Sequence, residues 1–186
     1  LAWVDYGNLL WGTGKPGLSK VAYQRSLELK TRRADALNNL AVVLVSDQGY
    51  ENWYAANEAV ALWKKALGYE AMNSAALFNL GHYFNYFRLF KHALPYYQKV
   101  SQKVNIGEVH DGLAVAYWGL GQKTEGELEF NKAEETGAKK SRFVRDYVSA
   151  DTAGSKADCL KIVEGMGELK GFEKISADRQ RARCSQ

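Results

Sequence analysis

Proline is nearly missing from this chain, with 2 in 186 residues, against a usual share of roughly 5%. Polyproline, collagen-like and linker-dominated architectures are therefore excluded. Long apolar runs are missing as well: none exceeds six residues, as in Leu40–Val45, where a membrane-spanning helix needs about 18 or more. Cysteine is scarce. Cys159 and Cys184 make no disulfide framework and are read as free thiols, although an exported protein could pair them. Nor does one sign of charge dominate: Lys and Arg number 25 against 21 Asp and Glu, a formal charge of +4, which argues neither for nor against nucleic acid. The chain opens at Leu1 without a methionine or a basic-then-apolar leader, so it is read as an excised or processed stretch from which no compartment follows.

What the chain does have is aromatic residues, 5 Trp, 11 Tyr and 7 Phe, enough to line a sizeable interior. They recur in columns. The blocks Trp3-Val4-Asp5-Tyr6-Gly7, Leu37-Asn38-Asn39-Leu40-Ala41, Leu77-Phe78-Asn79-Leu80-Gly81 and His110-Asp111-Gly112-Leu113-Ala114 each end in a small residue after a large one. The small column reads Gly7, Ala41, Gly81, Ala114, at spacings of 34, 40 and 33. A ring follows 16 residues later at Tyr23, Tyr97 and Phe130, and 22 later at Trp63. Four residues before each ring stands Ser19, Ala59, Ala93 or Gly126; three after stands Ser26, Ala66, Val100 or Ala133. Six extra residues in the second unit explain both the 22 and the 40, so the columns stay in phase through an insertion.

Offsets of 3, 4 and 7 put each column set on one helical face. A small residue there lets a partner helix approach closely. Turn residues at Gly12-Thr13-Gly14-Lys15-Pro16-Gly17, Asp47-Gln48-Gly49 and Gly119-Leu120-Gly121-Gln122 separate the sets. Each unit is thus a pair of antiparallel helices that must stack on its neighbours to bury its face. Pro16 suits the first position of a second helix, and Asn73 and Asn105 are candidate N-caps. Pro95 falls inside a helix starting near Leu89, where a kink or fraying is expected. The insertion around Tyr50-Glu51-Asn52-Trp53-Tyr54 is read as lengthening both helices of its pair, because Ala55, Ala56 and Ala59 favour helix.

These columns resemble the tetratricopeptide repeat (TPR) family, whose pattern W-x₂-L-G-x₂-Y…A-x₃-F has a 34-residue period. Trp3 to Leu10 and Leu77 to Phe84 are close matches, and Gly81–Ala93–Tyr97 and Ala114–Gly126–Phe130 keep the family spacing. The likeness covers residues 1–139 as four repeats, about 1–33, 34–73, 74–106 and 107–139. The proline that usually closes a repeat is replaced by Thr31, Ala71, Asn105 and Ala138, and His110 stands where a large apolar residue leads the fourth repeat. The resemblance implies an all-α, right-handed superhelical solenoid. Phe143, Val144, Tyr147 and Val148 are expected in a capping helix over 140–150. A weak helix carrying Leu160, Val163, Met166 and Leu169, then a mobile basic tail, are expected over 151–186.

No catalytic constellation stands out. His82, His92 and His110 form no H-x-x-x-H pair, the glycine-rich turn lacks P-loop spacing, and Glu125, Glu127 and Glu129 alternate in a way that separates them on a helix. The Lys139, Lys140 and Arg142 group is read as a solvated surface. No cofactor, metal or enzyme activity is expected.

In the family, the first helices line a concave groove that holds a peptide or a partner helix. The resemblance puts Asn8, Trp11, Asn38, Asn39, Val42, Phe78, Asn79, His82, Asn85, Tyr86, Asp111 and Trp118 there, with Val4, Asp5, Val45 and Val115 beside them. Amides can donate to and accept from a ligand backbone at once, and Trp and Tyr supply rigid anchors; Trp11 and Trp118 could equally be core residues between repeats. The expected function is a non-catalytic scaffold that docks another protein. Two other readings stay open: assembly through an uncapped N-terminal end, where further repeats could also precede, and the repeat region of a larger enzyme. The chaperone-tail clamp is disfavoured by Val4, Ala75, Asn79 and Glu108, and RNA binding by Asp5, Glu108 and Asp111.

Overall fold

Some of the helices begin where a side chain or a proline deals with the first unpaired amides. Pro16 opens α2 (Pro16–Glu28), where a missing N–H costs nothing. The Asn52 side chain accepts from the Tyr54 and Ala55 amides at 3.1 and 3.2 Å and starts α4 (Trp53–Tyr69). Asn73 does the same for Ala76 at 3.0 Å, at the head of α5 (Ser74–Tyr86). Asn105, expected to cap in the same way, does not. Ile106 occupies the N-cap of α7 (Gly107–Gly119) without a side-chain bond, because the Asn105 amide is turned to His110 instead.

The computed structural model describes residues 2–138, 149, 153, 155–165, 181–182 and 184–185. Besides the helices named, it contains α1 (Trp3–Gly12), α3 (Arg33–Gln48), α6 (Phe90–Ser101), α8 (Lys123–Glu135) and α9 (Lys156–Gly165). Among the described residues there is no strand. The chain divides into two compact units, Leu1–Tyr83 and Phe84–Gln186.

In the first unit α1 pairs with α2, α2 lies against α3, and α3 pairs with α4. The columns are its core. Ser19, Tyr23, Ser26, Ala41, Ala59, Trp63 and Ala66 are all buried. A Cβ added at Gly7 would run into the Tyr23 ring, so glycine there is what lets α2 close on α1. Tyr23, Val4, Ala36, Leu40 and Val43 form one cluster, with Leu27 and Leu62 packed on it. Burying each such large side chain stabilises by about 1.5–3 kcal/mol. The inserted residues do lengthen their pair: α3 has 16 residues and α4 has 17, against 13 in α2. Gly49, with φ of +74°, makes the turn between them.

In the second unit α6 packs on α7 and α7 on α8, around buried Ala93, Tyr97, Val100, Ala114, Phe130 and Ala133. Pro95 does not fray α6, which runs unbroken from Phe90 to Ser101. Gly126 costs α8 helix propensity, about 1 kcal/mol relative to alanine. Its purpose is contact, since a Cβ there would sit 3.2 Å from the Ala114 carbonyl oxygen. In α9, Ser155 accepts from the Asp158 amide at 3.1 Å and donates to its carboxylate at 2.7 Å, a reciprocal cap.

Cys159 and Cys184 are disulfide-bonded, which corrects their reading as free thiols. The bond ties residue 184, in the stretch expected to be a mobile tail, to α9. Both cysteines are buried, with Ala153 and Ile162 beside them. The expected capping-helix residues 143, 144, 147 and 148, the basic group at 139, 140 and 142, and Met166 and Leu169 lie outside the described residues.

Candidate functional site

The first unit gathers four of its seven asparagines into a row. Asn79 on α5 donates to Asn38 on α3 at 2.8 Å. Asn38 donates to its neighbour Asn39 at 2.9 Å, and Asn39 donates to Asn8 on α1 at 2.7 Å. The Asn8 oxygen also receives the Tyr23 hydroxyl at 2.9 Å. The row is directional. Every internal amide gives one hydrogen and takes one, leaving the Asn8 nitrogen at one end and the Asn79 oxygen at the other without a partner among the described residues. Burial pushes the Tyr23 hydroxyl above the usual phenol range, partly opposed by its contact with Asn39, so it stays a donor at neutral pH.

Beside the row opens a hollow of about 180 Å³ between α1 and α3, lined by Asn8, Trp11, Tyr23, Asn39, Val42 and Val43. Trp11 is 36% exposed and forms part of its wall, while Val42 is half-buried. On the other side of the row lie charges. Arg32, held at φ of +39°, donates through one terminal nitrogen to Asp5 at 2.6 Å and through Nε to Asp35 at 2.9 Å. Both carboxylates raise its pKa further above the ordinary guanidinium value. Asp35 also accepts from Asn73 at 3.2 Å, whose amide reaches Glu70 at 3.1 Å.

On α5, Phe78 and His82 stack with ring centres 6.5 Å apart. Tyr50, from the turn after α3, places its ring 5.9 Å from that of His82 and its hydroxyl 3.4 Å from Nδ1. His82 is an exposed residue. Its ring is nevertheless walled by these neighbours, and the lost hydration lowers its pKa below the usual imidazole value.

The structure thus brings Asn8, Trp11, Asn38, Asn39, Val42 and Asn79 together, with Phe78 and His82 on the helix that carries Asn79. Val4, expected beside the groove, is 1% exposed and belongs to the core. Asn85, Tyr86, Asp111 and Trp118, also expected in the groove, are in the second unit. There Asn85 donates to the Gly112 carbonyl at 2.9 Å, and its own side-chain oxygen is buried without a hydrogen-bond partner among the described residues. Asp111 is buried and Tyr86 exposed. Trp118 packs against Phe130 at 5.6 Å, with its indole nitrogen buried and without a hydrogen-bond partner among the described residues.

Sequence reasoning missed a polar cluster in the second unit. His110, 7% exposed, has Nδ1 2.6 Å from the Glu129 carboxylate and Nε2 2.6 Å from the Asn105 side-chain oxygen. Lys132 donates to the same carboxylate at 2.7 Å. The signal was a histidine in a column otherwise filled by Trp3, Leu37 and Leu77. Among the described residues no three His, Cys, Asp or Glu side chains converge as a metal site, and no helix is long and apolar enough to cross a membrane.

No protein-family model matches the chain, and no curated protein does. Solved structures do. MamA residues 41 to the end, from Desulfovibrio magneticus RS-1, superposes with a TM-score of 0.64 at 15% identity, over 97% of this chain and 94% of that one. TTC0263, a thermophilic TPR protein of Thermus thermophilus, gives 0.64 at 14% identity, over 98% and 97%. YrrB, described as a TPR protein with an unusual peptide-binding site, gives 0.63 at 19% identity, over 96% and 90%. The chain has the all-α fold of the tetratricopeptide repeat solenoids.

Proposed function

We propose that this chain is a non-catalytic interaction module that grips an extended segment of a partner protein on the face shared by α1, α3 and α5. The observation that carries the reading is the hydrogen-bonded row from Asn79 to Asn8, half-buried at Asn79, exposed at Asn8 and flanked by an apolar hollow. Amides already locked to one another lose little rotamer freedom on binding, so their unspent groups are preorganised for a ligand backbone. Trp11 supplies a rigid anchor of the kind that dominates binding energy. That YrrB has a peptide-binding site on the same fold supports the reading by analogy.

The test is a peptide-display selection on the purified chain, followed by affinity measurement on the double variant Asn39→Ala, Asn79→Ala. Binding falls about tenfold or more, equivalent to roughly 1.4 kcal/mol, while the far-ultraviolet helical signal is unchanged. Unaltered affinity overturns the groove assignment.

A second reading has its own support. Trp3, Tyr6 and Leu9 of α1 are 40–57% exposed, whereas Leu37, Leu40 and Val43, their counterparts 34 residues on, are at most 8% exposed; α2 lies against α3, which carries those counterparts. With Leu18 and Val21, also exposed, this apolar face fits self-assembly. Sedimentation equilibrium tests it: a concentration-dependent dimer abolished by Leu9→Glu supports assembly, and a strict monomer removes it.

A further inference from the structure

The two flanks of the amide row differ in chemistry, and the difference selects a ligand. On α1, Asp5 stands one turn before Asn8 and Trp11 one turn after it, so about 9 Å of helix axis separates them. On α3, Asp35 precedes Asn39 by four residues and Val42 follows it by three. Asp5 and Asp35 share the single guanidinium of Arg32. Two carboxylates on one cation leave a net negative flank, and both side chains remain exposed, at 46% and 37%. Asp35 is also bonded to Asn73, which reaches Glu70, a third carboxylate. The neighbouring cation, Arg33, lies over the Tyr69 ring at 5.1 Å and keeps its charge, so three carboxylates face two guanidiniums and the flank stays net negative by one. The opposite flank is the hollow walled by Trp11 and Val42, with Tyr23 and Val43 also lining it.

An extended chain laid along the row, across the helix axes, turns alternate side chains toward opposite flanks, with same-side neighbours about 6.7 Å apart. Every second residue then presents its N–H and C=O together to the amides, which can both donate and accept. Building on the groove reading above, we infer that the first unit recognises an extended partner segment in which Lys or Arg alternates with large apolar residues, the basic side chains joining Asp5 and Asp35 and an apolar one filling the hollow beside Trp11.

The probes are three short capped peptides alternating Lys with Leu, Glu with Leu, and Lys with Ser, measured by fluorescence anisotropy. The Lys–Leu peptide binds about tenfold tighter than either other peptide, and rising salt erodes its advantage over Glu–Leu. Asp5→Asn with Asp35→Asn removes at least about fivefold of the charge preference. Trp11→Ala weakens Lys–Leu binding without altering that preference, which separates the two flanks even where the aspartate variant loosens the start of α3. Equal binding of Lys–Leu and Glu–Leu, or a charge preference that survives both aspartate substitutions, overturns the inference. If binding is lost in Asn39→Ala, Asn79→Ala yet no charge preference exists, only this inference fails. If that double variant binds every peptide as well as the parent does, the groove reading itself fails.

Discussion

His110→Leu restores the residue type that two of the other repeats carry at the same position, Leu37 and Leu77, yet it is expected to destabilise the protein. Leucine removes the bond between the imidazole and the Glu129 carboxylate, worth about 1.5–3 kcal/mol, and the contact with Asn105, worth about 1 kcal/mol. Glu129, whose side chain is 13% exposed, keeps Lys132 as partner, so the carboxylate is weakened rather than stranded. Extra apolar burial offsets about 1 kcal/mol of the loss. The net is about 2 kcal/mol, or roughly 4–8 °C in Tm for a chain of this size. Urea unfolding of the parent, His110→Leu, Glu129→Gln and the double variant closes a cycle that isolates the pair. The coupling should exceed about 1 kcal/mol. A His110→Leu protein as stable as the parent would refute the reasoning and return the position to an ordinary apolar site.

Asn38→Ala removes two internal links of the amide row, at 5% exposure, and should cost about 1–3 kcal/mol in urea unfolding with no change in helix content. Gly112→Ala would drive a Cβ into the Tyr97 ring; overpacking of this kind costs about 1–3 kcal/mol, against a helix-propensity gain of about 1 kcal/mol, so thermal melts should show net destabilisation. The depressed pKa of His82 means that the unfolded chain takes up this proton first. Stability should therefore fall as pH drops below the ordinary imidazole value near 6.5 and level off once the folded His82 also protonates. Comparing His82→Gln with the parent isolates that slope, and an NMR titration placing His82 at or above the free value contradicts it.

The helix pairs were legible because close packing imposes a period. Gly7, Tyr23, Trp63 and Phe130 had to recur where neighbouring helices meet, and each is buried. Polar partnerships carry no such period. His110 meets Glu129 across α7 and α8, and its other ring nitrogen holds the Asn105 side chain, which therefore does not serve as the cap its sequence position implied. The amide row was half legible. Asn39 and Asn79 hold equivalent repeat positions, but Asn39 bonds Asn8, whose repeat counterpart is Val42. The side-by-side offset of α1 and α3 creates that pairing, and one-dimensional spacing does not contain it. The Cys159–Cys184 bond joins residues whose proximity nothing local in the sequence encodes.

The most direct measurement is the side-chain amide spectrum of ¹⁵N-labelled protein during titration with a selected peptide. If an extended segment lies along the row, the resonances of Asn8, Asn39 and Asn79 and the Trp11 indole move together and saturate at one stoichiometry. Shifts confined to the exposed face of α1 and α2 around Leu9, Leu18 and Val21, with the asparagine signals still, would contradict it.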